Sequence, residues 1–66
     1  MNWNDRSLRH GNKMSDYRRL NHGFYLIVMY EVKYEDGRRP TFSEVKRDYA
    51  SNERATKQIC RNFVKV

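Results

Sequence analysis

The chain has 66 residues, with 14 Lys and Arg against 8 Asp and Glu, which gives a formal net charge of +6 at pH 7. This length allows one domain and leaves little material for a deep catalytic pocket, while a hydrophobic content of 38% argues against a disordered chain. The single cysteine excludes an intrachain disulfide, and the longest apolar run is far shorter than the ~20 residues of a membrane-spanning helix. We therefore expect a cytoplasmic protein without a membrane partner. The excess of basic over acidic residues favours a polyanionic partner, and nucleic acid is the first candidate.

Residues 1–23 are predicted to form a flexible basic arm, because apolar residues are sparse there and basic residues are frequent. Four basic side chains of this arm are expected to contact phosphate groups: Arg9, Lys13, Arg18 and Arg19. Both histidines also lie in this arm, and neither has zinc-site spacing to the distant Cys60. No metal and no cofactor are therefore expected, and Cys60 is interpreted as a small core residue.

The stretch Phe24–Tyr34, FYLIVMYEVKY, carries two periods at once. Its even-numbered positions are all apolar or aromatic, which is typical of a strand. Leu26, Met29, Tyr30 and Tyr34 also follow helical spacing, so the period alone leaves the choice between helix and strand open. In either form, its three tyrosines are expected to be core or half-buried residues rather than a stacking platform.

The next segment is predicted to be a helix from about Phe42 to Tyr49. Thr41 and Glu44 have the Thr-x-x-Glu spacing of a capping box, in which each residue hydrogen bonds to the backbone of the other. The apolar residues that follow are spaced i, i+3 and i+7, as on one side of a helix. In a strand, Phe42 and Val45 would point to opposite faces unless a bulge intervened.

A further helix is predicted over residues 53–63, because Asn52 is a favourable N-cap and Glu53 suits the positive end of the helix dipole. Its apolar residues are spaced i, i+4 and i+8: Ala55, Ile59 and Phe63. A basic stripe runs along the opposite side: Arg54, Lys57 and Arg61.

Two short helices joined by a tight turn form a helix-turn-helix, so the predicted fold is an all-α, three-helix domain over residues 24–66 that follows the basic arm. In this motif the second helix enters the major groove, where amide and basic side chains hydrogen bond with base edges. The expected base-reading residues are Asn52, Arg54, Lys57 and Gln58. The expected phosphate contacts outside the arm are Arg61, Lys46, Arg47, Arg38 and Arg39.

The segment GRRPTFSEVKRDYASNERATKQICRNF resembles the helix-turn-helix core of bacterial winged-helix repressors, such as the GntR type and the SOS-response repressor. The residues that match the lead-in to the first helix of that motif are Gly37, Pro40, Thr41, Glu44 and Val45. The resemblance implies a transcriptional regulator, with Asn52 in the capping position of the recognition helix. Ala50 departs from the glycine that is usual at the turn, and no complete wing is expected after Phe63.

The leading functional interpretation is a small non-enzymatic repressor, of the kind found in phages or mobile elements, which binds duplex DNA with helix 53–63. No paired carboxylates, phosphate-binding glycine loop or nucleophile–base arrangement is present in the sequence to suggest an enzyme. A homodimer on a two-fold DNA site is expected, because one such module buries a small interface.

Two alternatives remain open at this point. In the first, residues 24–34 and 41–49 pair as a hairpin, residues 52–63 form a helix and the tail adds a short strand, which gives an α+β protein of ββαβ order. Such a protein would bind and inhibit a host protein complex, such as RNA polymerase or a defence system. In the second, the basic arm binds RNA and folds on contact.

Overall fold

The computed structural model describes residues 2–4 and 7–65 of the chain, and the side chains of residues 7–65. Five strands precede one helix: β1 (Asn2–Asn4), β2 (Ser7–His10), β3 (Lys13–Arg19), β4 (Tyr25–Lys33), β5 (Thr41–Ala50) and α1 (Glu53–Val64). The strands lie in the sheet in chain order, and each runs antiparallel to the next. The fold is therefore a small α+β meander with its helix at the C-terminal end.

The prediction of an all-α, three-helix domain is wrong. Residues 24–34 contain strand β4, and the helix predicted from about Phe42 to Tyr49 lies inside strand β5. Only the last helix is confirmed, as α1. The α+β alternative is right about the β4–β5 hairpin and the helix after it, but α1 continues to Val64 in place of the short strand expected in the tail. Val66 lies outside the described residues.

The prediction of a flexible basic arm is also wrong for residues 7–19, because strands β2 and β3 lie there. Leu8 is fully buried, and Ser15 of β3 is buried beneath α1. Tyr25 of β4 pairs with Arg19 of β3, so the same sheet continues past residue 23. The sparse apolar residues of this segment are sufficient because a fully buried side chain the size of Leu8 contributes about 1.5–3 kcal/mol.

The core lies between α1 and one face of the sheet. Its buried members are Leu8, Ile27, Met29, Ala50, Cys60 and Val64. Cys60 is thus the core residue that the sequence predicts, and its thiol accepts a hydrogen bond from the Ser15 hydroxyl at 3.1 Å. Burial raises the pKa of this thiol, so its neutral form is favoured.

Local sequence signals fix both ends of α1. The Asn52 side-chain oxygen accepts a hydrogen bond from the Ala55 backbone N–H at 2.8 Å, as the cap prediction requires. Glu53 occupies the first turn, where its charge complements the helix dipole. Lys65 ends the helix in the left-handed conformation, at φ 61°, and its N–H donates to the Arg61 carbonyl at 2.8 Å.

Strand β5 contains a bulge that explains why its sequence resembles a helix. Met29 of β4 is opposite Lys46, but Tyr30, the next residue, is opposite Glu44, so Val45 is an extra residue on β5. The insertion reverses the alternation of side chains. Phe42 and Glu44 therefore lie on the same face of the sheet as Arg47 and Tyr49. Spacings of three and seven residues on one side arise here without a helix.

The N-terminal strands should contribute directly to stability. We expect Leu8→Ala to lower the free energy of unfolding by about 2–5 kcal/mol, because it leaves a cavity at a position that is 0% exposed. His10→Ala, at an exposed position of the same strand, should change it by less than about 0.5 kcal/mol. Urea unfolding followed by circular dichroism measures both values. Equal, small effects would show that β2 does not belong to the folded core.

Candidate nucleic-acid interface

The sheet has one face that α1 covers and one that it leaves open. The hydrogen bond from Ser15 to Cys60 places Ser15 on the α1 side, and its cross-strand partner Met29 shares that side. The residues that alternate with these form the opposite side, which we call the open face. On the four strands whose side chains are described, the open face consists of Ser7, Arg9, Met14, Asp16, Arg18, Leu26, Val28, Tyr30, Val32, Phe42, Glu44, Arg47 and Tyr49.

Large apolar side chains are exposed on this face and at its borders. Tyr49 is 59% exposed and Phe42 is 46% exposed. Phe24, which continues the alternation of β4 by one step beyond the strand, is 49% exposed, and Tyr34 at the other end of β4 is 58% exposed. A small protein gains by burying aromatic rings, so several exposed rings on one face make that face the candidate binding surface.

One end of the open face carries an arginine that lies against two rings. The guanidinium carbon of Arg9 is 5.3 Å from the ring centre of Tyr34 and 5.6 Å from that of Phe42. Arg9 also donates a hydrogen bond to the Tyr34 hydroxyl. Val32, on the same face, is buried although α1 lies on the other side of the sheet. Cation–π contacts of this kind hold a positive charge at a fixed place among aromatic groups.

The other end of the open face repeats this combination of rings and arginine. Tyr49 is directly opposite Leu26 on one side, and Arg18 is opposite it on the other. Phe24, which lies two residues before Leu26 and just outside β4, adds an exposed ring near this end. Leu26 is buried between these neighbours. About 20 Å separates this end from the first, at ~3.3 Å per residue along β4.

Charged groups occupy the centre of the open face. Arg47 Nε is 2.7 Å from Glu44 Oε2, and Arg47 Nη2 is 3.0 Å from Glu44 Oε1. These hydrogen bonds lower the pKa of the Glu44 carboxyl. Burial raises the pKa of Asp16, against the attraction of Arg18. Burial also raises the pKa of Tyr30, and the carboxylates of Asp16 and Glu44 add to that rise. The face is therefore a mixture of aromatic rings, cations and two carboxylates.

The predicted base-reading residues lie on the other side of the molecule, on α1 or at its start. Asn52 uses its side chain to cap the helix. Arg54 and Gln58 are exposed, and the Gln58 amide donates to Asn62 at 3.0 Å. Lys57 Nζ lies 3.1 Å from Glu53 Oε1. Because the inner side of α1 packs on the sheet, these exposed groups point away from the open face.

The structure divides the predicted phosphate-contacting residues among several places. Arg9, Arg18 and Arg47 share the open face, with Arg9 at one end of it and Arg18 at the other. Lys13 lies on the α1 side of the sheet, with its amino group 5.1 Å from the ring centre of Phe63. Arg19 is exposed at the end of β3, Lys46 is exposed on β5, and Arg61 lies on α1. Arg38 and Arg39 lie in the connection between β4 and β5. The guanidinium group of Arg38 is 3.6 Å from the carboxylate of Glu35.

Reasoning from the sequence missed the exposed rings. Tyr25 and Tyr30 are half-buried as predicted, but Tyr34 is exposed. Phe42 and Tyr49, which the sequence predicts on one side of a helix, are exposed on a strand. A signal is present in the sequence, because residues 24–30 are all apolar or aromatic, at odd as well as at even positions. A strand that is apolar on both faces needs two covering layers, and the single helix among the described residues supplies only one.

Within residues 7–65, no three His, Cys, Asp or Glu side chains come together in a way that could hold a metal ion. None of the helical residues described there forms a segment long and apolar enough to cross a membrane. No family model, curated protein or solved structure matches the chain. The functional argument therefore depends on the geometry of the open face.

The raised pKa of Asp16 gives a prediction about stability. Because the folded state binds this proton more tightly than the unfolded state, its contribution to stability is present at low pH and is lost as pH rises through the folded pKa. We expect Asp16→Asn to raise the free energy of unfolding at neutral pH, with the difference shrinking towards pH ~4. Urea unfolding at a series of pH values measures this. A less stable variant at neutral pH would show that the attraction of Arg18 outweighs the cost of burial.

Proposed function

We propose that the chain binds single-stranded nucleic acid across the open face, with unpaired bases stacked on the exposed rings and phosphates held by arginines. The observation that carries this proposal is that exposed aromatic rings share one sheet face with Arg9, Arg18 and Arg47. Both ends of the face combine a ring with a guanidinium group. The aromatic ring is the group on which a base can stack, and the guanidinium group is the one that can neutralise a phosphate.

The rings favour single strands over a duplex. In a duplex the faces of the bases are hidden in the stack, so a ring that lies on a sheet has nothing to stack on, whereas an unpaired base is available on both sides. The duplex interpretation also depended on a helix before α1, and strand β5 occupies that place. The binding surface that we propose is therefore the sheet and not helix 53–64.

The charge of the chain supports nucleic acid over a protein partner. A net charge of +6 on 66 residues attracts a polyanion from any direction, whereas a host protein would need a complementary acidic surface. On this proposal the protein acts by binding alone, and part of its affinity comes from released counterions. For a single strand that meets three arginines, the affinity should fall with salt at a slope of about −2 in log–log form, at ~0.7 per phosphate.

The rings at the Leu26 end provide the sharpest test. Tyr49→Ala should weaken binding of a fluorescein-labelled oligo-U or oligo-dT of about 12 nucleotides by roughly five-fold to 150-fold, since each stacked base contributes about 1–3 kcal/mol. Tyr49→Leu is the matched variant, because it keeps an apolar side chain and removes the flat ring. Fluorescence anisotropy measures the affinities, and circular dichroism checks the fold. Full affinity in the leucine variant would contradict stacking.

The helix provides the comparison that separates the two nucleic-acid interpretations. The double variant Arg54→Ala with Lys57→Ala should leave single-strand affinity almost unchanged, because both side chains lie on the far side of the sheet. A duplex of the same sequence should bind more weakly than the single strand. If the duplex binds more tightly, and this double variant abolishes its binding, α1 is the reading element. If no oligonucleotide binds at low salt, the proposed function is wrong.

A further inference from the structure

Strand β5 forms one edge of the sheet and is its longest strand, with 10 residues. Residues 41–47 of this strand are all exposed. An edge strand presents backbone N–H and C=O groups that have no neighbour in the sheet, and these can pair with another strand. The question is whether the pattern of β5 fits a particular partner.

The register shows which residues of β5 direct their backbone groups outward. The Val32 N–H donates to the Asn12 carbonyl at 2.7 Å on the β3 side, so the even-numbered residues of β4 bond towards β3 and the odd-numbered ones towards β5. The residues of β5 that are opposite even-numbered residues therefore point their N–H and C=O groups to the free edge. They are Phe42, Glu44, Arg47 and Tyr49. The Tyr49 N–H agrees with this, because it bonds to the Asp48 carboxylate at 2.8 Å and not to β4.

The side chains of these four residues would match those of a second copy of β5 that runs antiparallel to the first. If a second β5 lies antiparallel, with the two-fold axis at the bulge, Glu44 is opposite the partner subunit's Arg47 and Phe42 is opposite the partner subunit's Tyr49. The bulge makes this possible, because without Val45 as an extra residue Glu44 and Arg47 would lie on opposite faces. Both copies carry the same bulge, so their spacings match on each side of the axis.

We propose that β5 pairs with β5 of a second copy of this chain to form a symmetric dimer with one continuous sheet. The ion pair that Glu44 and Arg47 make within one chain becomes part of a four-membered network of alternating charge. Val45, which is 48% exposed in the single chain, lies at the two-fold axis. The inference depends on the free edge of β5 and is independent of the proposed nucleic-acid binding.

Charge reversal at the two positions tests the pairing. In sedimentation equilibrium without nucleic acid, the natural chain should exceed its monomer mass of 8.1 kDa and approach twice that value as concentration rises. Glu44→Arg alone and Arg47→Glu alone should each raise the dimer dissociation constant by about ten-fold or more, because like charges then face each other across the axis. An equimolar mixture of these two variants should associate again, since every opposed pair in the mixed dimer is of opposite sign.

A matched control is available in the β4–β5 connection. Arg38→Glu makes the same change of net charge as Arg47→Glu and breaks a similar exposed pair, with Glu35 three residues earlier, but it lies off the β5 ladder. It should dimerise like the natural chain. A natural chain that stays at 8.1 kDa at every concentration overturns the proposal, and so do single variants that still dimerise or a mixture that does not. Thermal unfolding of each variant confirms that the compared proteins are folded.

Discussion

The structure depends on the packing of one helix against one face of a sheet. In the described chain, α1 buries Cys60 and Val64 against Leu8, Ile27 and Met29, and this contact provides the core. A sheet has two faces, and one amphipathic helix covers only one of them. The apolar residues on the other face are therefore exposed or shielded only by their neighbours. The open face follows directly from this geometry, and the proposed function follows from what the open face carries.

The bulge at Val45 determines which side chains of β5 lie on the open face. It rotates one half of β5 relative to the other, so that Phe42 and Glu44 join Arg47 and Tyr49 on the open face. The Glu44–Arg47 ion pair exists for this reason, because residues three apart in a regular strand lie on opposite faces. Because of this one extra residue, Phe42 and Tyr49 both lie on the open face. Glu44 and Arg47 also form a pattern along the free edge that is complementary to a second, antiparallel copy.

How well the sequence predicts each element depends on how far apart in sequence the interacting residues are. Helix α1 is predictable because its cap at Asn52 and its apolar spacing are local. The prediction of a helix within strand β5 is wrong because the bulge at Val45 imitates helical spacing, and the sequence carries no separate mark of the bulge. The strand around Leu8 could not be predicted, since its burial depends on β4 and α1, which are distant in sequence. The candidate site has the same limit: the sequence predicts phosphate contacts for its arginines, but it does not predict the exposed rings beside them.

The three arginines of the open face differ in how much charge they can offer to a phosphate. Arg47 is held in two hydrogen bonds by Glu44, and the attraction between Arg18 and Asp16 occupies part of the second charge. Among the ion pairs of residues 7–65, none involves Arg9, whose neighbours are two rings and a hydroxyl group. An aromatic ring attracts a cation without neutralising it. In the proposed complex, the sugar-phosphate backbone of the nucleic acid is therefore held most strongly at the Arg9 end of the open face, and its bases extend from there towards Tyr49.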